Sequence, residues 1–221
     1  MREILRALLL VAATLPVQAQ TDNRLFVRPW VELEPVVRID EGQYPIPVEK
    51  AERSVLEEAR VLLSGMVFGW SFDYTPANSA RGVAESFTLT PTAQIPWGNP
   101  RMRVVETEVA EEKLWARVMY SMDDAETARH VSWASATSLL SQGEGRASVT
   151  KGPAAKALSF QDAMRNAIRL ALHDRYPEAP RQVLGDVVLW DDPQSWVRSG
   201  LYRTSVEVRI MVREVVPYRI F

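Results

Sequence analysis

The spacing of apolar positions changes period several times along this chain, and each change marks an element. Between residues 47 and 66, Val48, Ala51, Val55, Ala59, Leu62, Leu63 and Met66 recur at helical spacing, with Glu49, Glu52, Arg53, Glu57 and Arg60 elsewhere. That period predicts an amphipathic helix with Pro47 in its first turn and Gly65 as its C-terminal stop. A second helix is predicted from Ser159, which stands three residues before Asp162 in a capping-box-like pair. Phe160, Ala163, Met164, Ala167, Ile168 and Ala171 form its apolar face, and Pro177 and Pro180 end it.

Elsewhere the period falls to two, the signature of strands. Residues 27–39 read as an extended, Pro-punctuated edge strand or strap, and residues 66–74 and 83–90 as strands. Residues 102–109 and 113–122 read as a hairpin about Ala110, Glu111 and Glu112. In its second arm Leu114, Ala116, Val118 and Tyr120 share a face. Residues 129–140 fit either period, and Val131, Trp133 and the Ser/Thr content favour strand. Residues 183–190 are a further strand, and 202–212 is the cleanest alternation, with Val206, Val208, Ile210 and Val212 on one side. Residues 91–100 and the glycine-containing stretch 141–153 read as turn and loop.

The predicted fold is therefore α+β, with two amphipathic helices packed on antiparallel β-meanders. Gly65, Val67 and Trp70 after the first helix match Gly185, Val187 and Trp190 after the second in spacing. The match suggests a tandem duplication. The expected units are a leader at 1–19, an extended segment at 20–46, a first half at 47–140, a linker at 141–158 and a second half at 159–221.

The leader changes the functional picture. Arg2 and Arg6 precede an apolar run from residue 7 to 17, and Val17-Gln18-Ala19 offers small residues where signal peptidase reads. The pattern predicts a secretory signal peptide cleaved after Ala19, hence export to the periplasm. The chain has no cysteine. That removes disulfides, thiol catalysis, cysteine-ligated zinc and the lipid-bearing residue of a bacterial lipoprotein. Phe221 is not expected to close a membrane barrel, because Pro217, Tyr218 and Arg219 break the alternation a lipid-facing strand needs. A formal net charge of −2 gives no field for polyanions, so nucleic acid is not an expected partner.

The run from Lys50-Ala51-Glu52-Arg53 to Glu58-Ala59-Arg60, leading to Leu114-Trp115-Ala116-Arg117-Val118-Met119-Tyr120, resembles the exported helix-plus-meander domain of the lipoprotein-20 and flagellar assembly protein T group. The second helix and residues 202–212 are similar in the same way. The resemblance implies an envelope protein serving an appendage or the outer membrane, with no catalytic residue to carry over.

Candidate chemistry is sparse. The two histidines, His130 and His173, are too few for a histidine-rich metal site. His173-Asp174 matches half of a serine triad, but no Gly-x-Ser-x-Gly turn accompanies it, and a cation near a helix C-terminus is favourable in any case. The acidic pairs Glu57-Glu58, Glu111-Glu112, Asp123-Asp124 and Asp191-Asp192 invite a glycosidase reading, yet adjacent residues diverge on a strand and these fall mostly in turns, so solvated charge is expected. Asp123, Asp124 and Glu126 lack calcium-loop spacing, and Gly143-Glu144-Gly145 lacks the third glycine of a dinucleotide loop. Aromatic residues remain. Trp70, Phe72 and Tyr74 share a strand face, with Phe68, either as core or as a partner contact, and Trp97 and Trp196 are the expected exposed contacts in loops. The expectation is a non-catalytic periplasmic or envelope protein that binds another envelope protein, without cofactor or metal. The alternative is an exported cell-wall hydrolase or glycan-binding protein.

Overall fold

A computed structural model describes residues 23–34, 46–135, 137–177 and 180–218, so the signal-peptide reading at 1–19 lies outside the described residues. The fold is α+β, with ten strands and three α-helices among those residues. In chain order they are β1 (Arg24–Val27), β2 (Trp30–Glu32), α1 (Val48–Val67), β3 (Trp70–Thr75), β4 (Ser86–Pro91), β5 (Met102–Ala110) and β6 (Lys113–Ser121). Then come α2 (Asp124–Ser132), β7 (Leu139–Ser148), α3 (Ala155–Arg175), β8 (Gln182–Leu189), β9 (Gln194–Arg198) and β10 (Leu201–Val216). Of the segment expected at 27–39, the described part is the end of β1, the Arg28–Pro29 break and β2, and the remainder falls largely outside the described residues.

Two antiparallel sheets result. In the small one β6 is central, with β5 along one edge and β1 and β2 sharing the other. The large one runs β4-β3-β8-β10-β7, with β9 paired to the first residues of β10. α3 packs across β7 and β10, while α1 touches both β6 and β8 and so lies between the sheets. Leu114, Ala116, Val118 and Tyr120 of β6 are buried, as are Val206, Val208 and Ile210 of β10, which is the alternation expected of both strands. One continuous core draws on Val55, Leu63, Phe72, Val118, Ile168 and Val208 alike.

Several expectations are overturned. The first helix does not stop at Gly65 but continues to Val67, and the chain turns at Gly69, whose φ of 69° suits glycine. Gly65 serves packing instead: a Cβ there would lie 1.9 Å from the Trp70 ring. Of residues 129–140 only Leu139 and Leu140 are strand, at the start of β7; residues 129–132 end α2, which a complete capping box from Asp123 and Glu126 starts. The Asp123 side chain accepts from the Glu126 N–H and the Glu126 carboxylate accepts from the Asp123 N–H. Nor are residues 141–148 a loop. They form most of β7, and Gly143 and Gly145 let that strand lie directly on the α3 backbone. α3 begins at Ala155, four residues before Ser159, whose buried hydroxyl bonds Thr204 rather than capping the helix.

The halves are not separate units, since β3 of the first pairs with β8 of the second. Gly65 and Val67 lie in a helix and Gly185 and Val187 in a strand, and Val187 is the register partner of Trp70. The matched triplets therefore do not occupy equivalent positions.

The β7–α3 contact gives a direct test. A Cβ at Gly143 would meet the Ala163 carbonyl oxygen at 2.3 Å, and one at Gly145 the Ala163 nitrogen at 2.1 Å. Gly143→Ala and Gly145→Ala are expected to lower the unfolding free energy by about 3 kcal/mol each in urea titrations. Gly200→Ala, where the added methyl meets open space and only the left-handed backbone objects, should cost about 1 kcal/mol.

Candidate functional site

Where β2, α1, the start of α3 and the turn into β9 converge, they leave a cleft of about 1040 Å³. Its walls are mainly apolar: Trp30 and Trp115 of the small sheet, Val61 and Leu62 of α1, Phe160 of α3, Tyr202 of β10, and Trp97 from the loop after β4. Lys50, Arg53, Glu57, Glu58 and Arg60 of α1, Glu32 of β2, Arg28 and Lys156 supply its charge.

Lys156, in the first turn of α3, carries a deeply buried charge. Its ammonium donates to the Trp30 carbonyl oxygen at 2.6 Å and to Glu58 Oε2 at 2.9 Å, and lies 4.1 Å from the centre of the Trp30 ring. Burial pushes its pKa below the ordinary lysine value, with Glu58 opposing that shift. Beneath it Trp30, Val149, Ala155 and Tyr202 form a second, small apolar cluster. The Trp30 indole N–H donates to the Ser195 carbonyl, joining β2 to β9 at 3.2 Å. Lys113 also rests 4.6 Å from the Trp30 ring, and Arg28 lies 5.2 Å from that of Trp115.

On α1, Arg60 pairs with Glu57 at 2.5 Å and donates to the Ile95 carbonyl at 3.0 Å. Ser64 accepts the Ile95 N–H at 2.9 Å, and the Ile95 side chain is fully buried. This anchor fixes the loop that carries Trp97, which stays 53% exposed at the cleft mouth beside Arg53. The Arg60 guanidinium holds the Glu57 carboxyl below the usual carboxylate range.

Asp192 joins the sheets behind the cleft: its Oδ2 accepts the Arg28 backbone N–H at 3.0 Å, while its buried Oδ1 has no hydrogen-bond partner among the described residues. Burial raises its pKa from 3.8 to about 6, opposed by the Arg28 N–H and reinforced by Asp191 and Glu58.

The five aromatic candidates part company here. Trp70, Phe72 and Tyr74 are 7%, 2% and 5% exposed and belong to the core, so the partner-contact reading is wrong for them. Phe68 is not on their strand; it caps α1. Trp196 is half-buried in β9 rather than in a loop and is not among the cleft residues. Trp97 lines the cleft mouth, exposed as expected. His173 and Asp174 are 80% and 73% exposed and stand outside the cleft. His130 is stacked on Trp190 at 5.0 Å, and burial lowers its pKa. Asp123 and Glu126 are absorbed in the helix cap and in bonds to Arg101, and no group fit to hold a metal occurs among the described residues. No helix among them is long and apolar enough to cross a membrane.

Sequence reasoning missed Trp30, Glu32, Trp115, Lys156 and the burial of Asp192. Glu57-Glu58 was visible as a pair, but its separate tethering to Arg60 and Lys156 depends on elements far apart in the chain.

A protein-family model matches residues 14–218. The chain belongs to that family, an uncharacterised one. It is also similar to an uncharacterized protein of Treponema pallidum (strain Nichols), with 25% identity over 193 residues covering 87% of this chain and 81% of the relative. No solved structure matches.

Two measurements test the electrostatics. Glu58→Gln strands the Lys156 ammonium without its counter-charge and should cost about 3–5 kcal/mol in denaturant titrations. For Asp192 the folded pKa lies above the unfolded one, so between pH 3.8 and about 6 the folded state binds more protons. Its contribution therefore favours folding at the acid end of that window and fades as pH rises through 6, by about 3 kcal/mol at most. Asp192→Asn should flatten that part of the stability–pH curve, read from melting at successive pH values.

Proposed function

We propose that this chain is an exported, non-catalytic binding protein of the bacterial envelope, and that its cleft receives an apolar segment of another protein. The observation that carries the reading is the state of the cleft's charges. Glu57 is paired with Arg60 and Glu58 with Lys156, so neither carboxylate is free for acid–base work, while the apolar wall from Val61 and Leu62 to Phe160 and the exposed Trp97 stays open. A largely apolar concavity with an aromatic at its mouth is the usual form of an anchoring site for a partner. The leader at 1–19 supports export, and the resemblance to the lipoprotein-20 and flagellar assembly protein T group supports an envelope setting.

Glycan binding fits less well. Sugar platforms need open aromatic faces, but ammonium groups already lie against Trp30 and a guanidinium against Trp115.

Isolation of the protein from the periplasm after crosslinking identifies the partner, and titration of the purified pair tests the site. Trp97→Ala is expected to cost about 2 kcal/mol of binding with unchanged melting, and Trp196→Ala to leave affinity unchanged. Wall-degrading activity of the purified monomer would overturn the proposal.

A further inference from the structure

Glu32 does not fit the pattern of paired charges around it. It closes β2, lines the cleft and is only 9% exposed, yet its Oε1 atom is buried with no hydrogen-bond partner among the described residues. A buried acceptor without a donor is costly, and persists where something else completes it. Two cations already stand near Glu32. Lys113 is its register partner on β6, and the Lys156 ammonium is close enough to feel its field. What Oε1 lacks is a neutral donor, and an amide N–H meets that need without adding a third cation.

The rim gives the complementary half of the description. Lys50 and Arg53 stand on the cleft side of α1, and neither has a carboxylate in ion-pair contact among the described residues; Arg53 lies near Trp97 instead. Two cations at the mouth, an apolar wall and a bare acceptor at the floor match an extended peptide with apolar side chains and an acidic end. Strand pairing does not fill this role, because the Trp30 carbonyl already accepts from Lys156 and the Ser195 carbonyl of β9 from the Trp30 indole. The contacts left open are side-chain contacts.

We propose that Glu32 is the anchoring residue of the cleft, accepting a hydrogen bond from a backbone amide of an apolar partner segment whose carboxylate lies on Lys50 and Arg53. This rests on the protein-binding reading above and adds the chemistry of the occupant. It also assigns Glu32 a recognition role rather than a structural one. A residue held only for stability would weaken the fold when replaced, whereas removing an unpartnered buried acceptor leaves the free protein no less stable.

The probe is a display library of random eight-residue peptides selected on the full chain without its leader, followed by titration of the enriched peptides. The expected peptides carry apolar or aromatic residues beside Asp, Glu or a free C-terminus. Glu32→Leu is expected to weaken them at least tenfold while its melting temperature stays equal to or above that of the parent, and Glu32→Gln to weaken them less. Reversing the rim with Lys50→Glu and Arg53→Glu should also weaken them at least tenfold and remove their salt dependence. Peptides that need Trp97 but bind Glu32→Leu as tightly as the parent overturn the Glu32 anchor and leave the protein-binding reading standing. Enrichment of basic peptides, or a Glu32→Leu protein that melts well below the parent, overturns the anchor in the same way. A library that yields no peptide dependent on Trp97 overturns both.

Discussion

The arrangement of the two sheets turns on one buried ammonium. Lys156 sits at the start of α3, which packs on the large sheet, and reaches the Trp30 carbonyl of the small sheet and the Glu58 carboxylate of α1. A charge at that depth is tolerable only with a counter-ion and hydrogen-bond acceptors in place, so the two groups it reaches are fixed relative to each other. The Trp30 ring adds a cation–π contact and, through its N–H, a bond to β9. Asp192 repeats the connection from the other side, accepting the Arg28 N–H. Both links join small-sheet backbone to groups anchored on the large sheet, and the cleft is the space they hold open.

Around this centre the packing sorts residues by size. Gly143 and Gly145 of β7 meet Ala163 and Ala167 of α3, so backbone approaches backbone with almost nothing between. On the opposite flank the strand β3 carries Trp70, Phe72 and Tyr74 inward. Gly65 and Gly185 leave room for two of those rings, since a Cβ at Gly65 would strike Trp70 and one at Gly185 would strike Phe72 at 2.5 Å. The glycines that read as punctuation in the sequence are mostly spacers. Interiors are packed closely enough that a single methyl at such a place displaces backbone.

The same economy explains why the cleft reads as a recognition surface. Its carboxylates and cations are mostly spent on holding the fold together: Glu57 on Arg60, Glu58 on Lys156, and Arg28 on Glu108. Groups engaged in this way keep their position. What is left over is the exposed ring of Trp97, the apolar wall, the rim cations and the bare oxygen of Glu32.

The sequence by itself determined the α+β class, the helices α1 and α3 through most of their length, and the strands β6, β8 and β10. In each of these the burial of one face imposes a local period that composition alone reveals. It also marked Trp97, because a tryptophan beside Gly98 in a turn-rich stretch has little core to enter. The tertiary structure added what holds residues 124–132 as a helix, since Glu126, besides its cap with Asp123, accepts from Arg101 and Tyr120 outside it. It decided too that β7 is a strand, since the space its glycines vacate is filled by a helix whose first residue lies seven positions beyond the strand. The cleft was the least legible part. Trp30, Glu32, Glu58, Lys156 and Asp192 come from four separated stretches, and the reason each is charged, buried or unpaired is a neighbour that no local window of the chain contains.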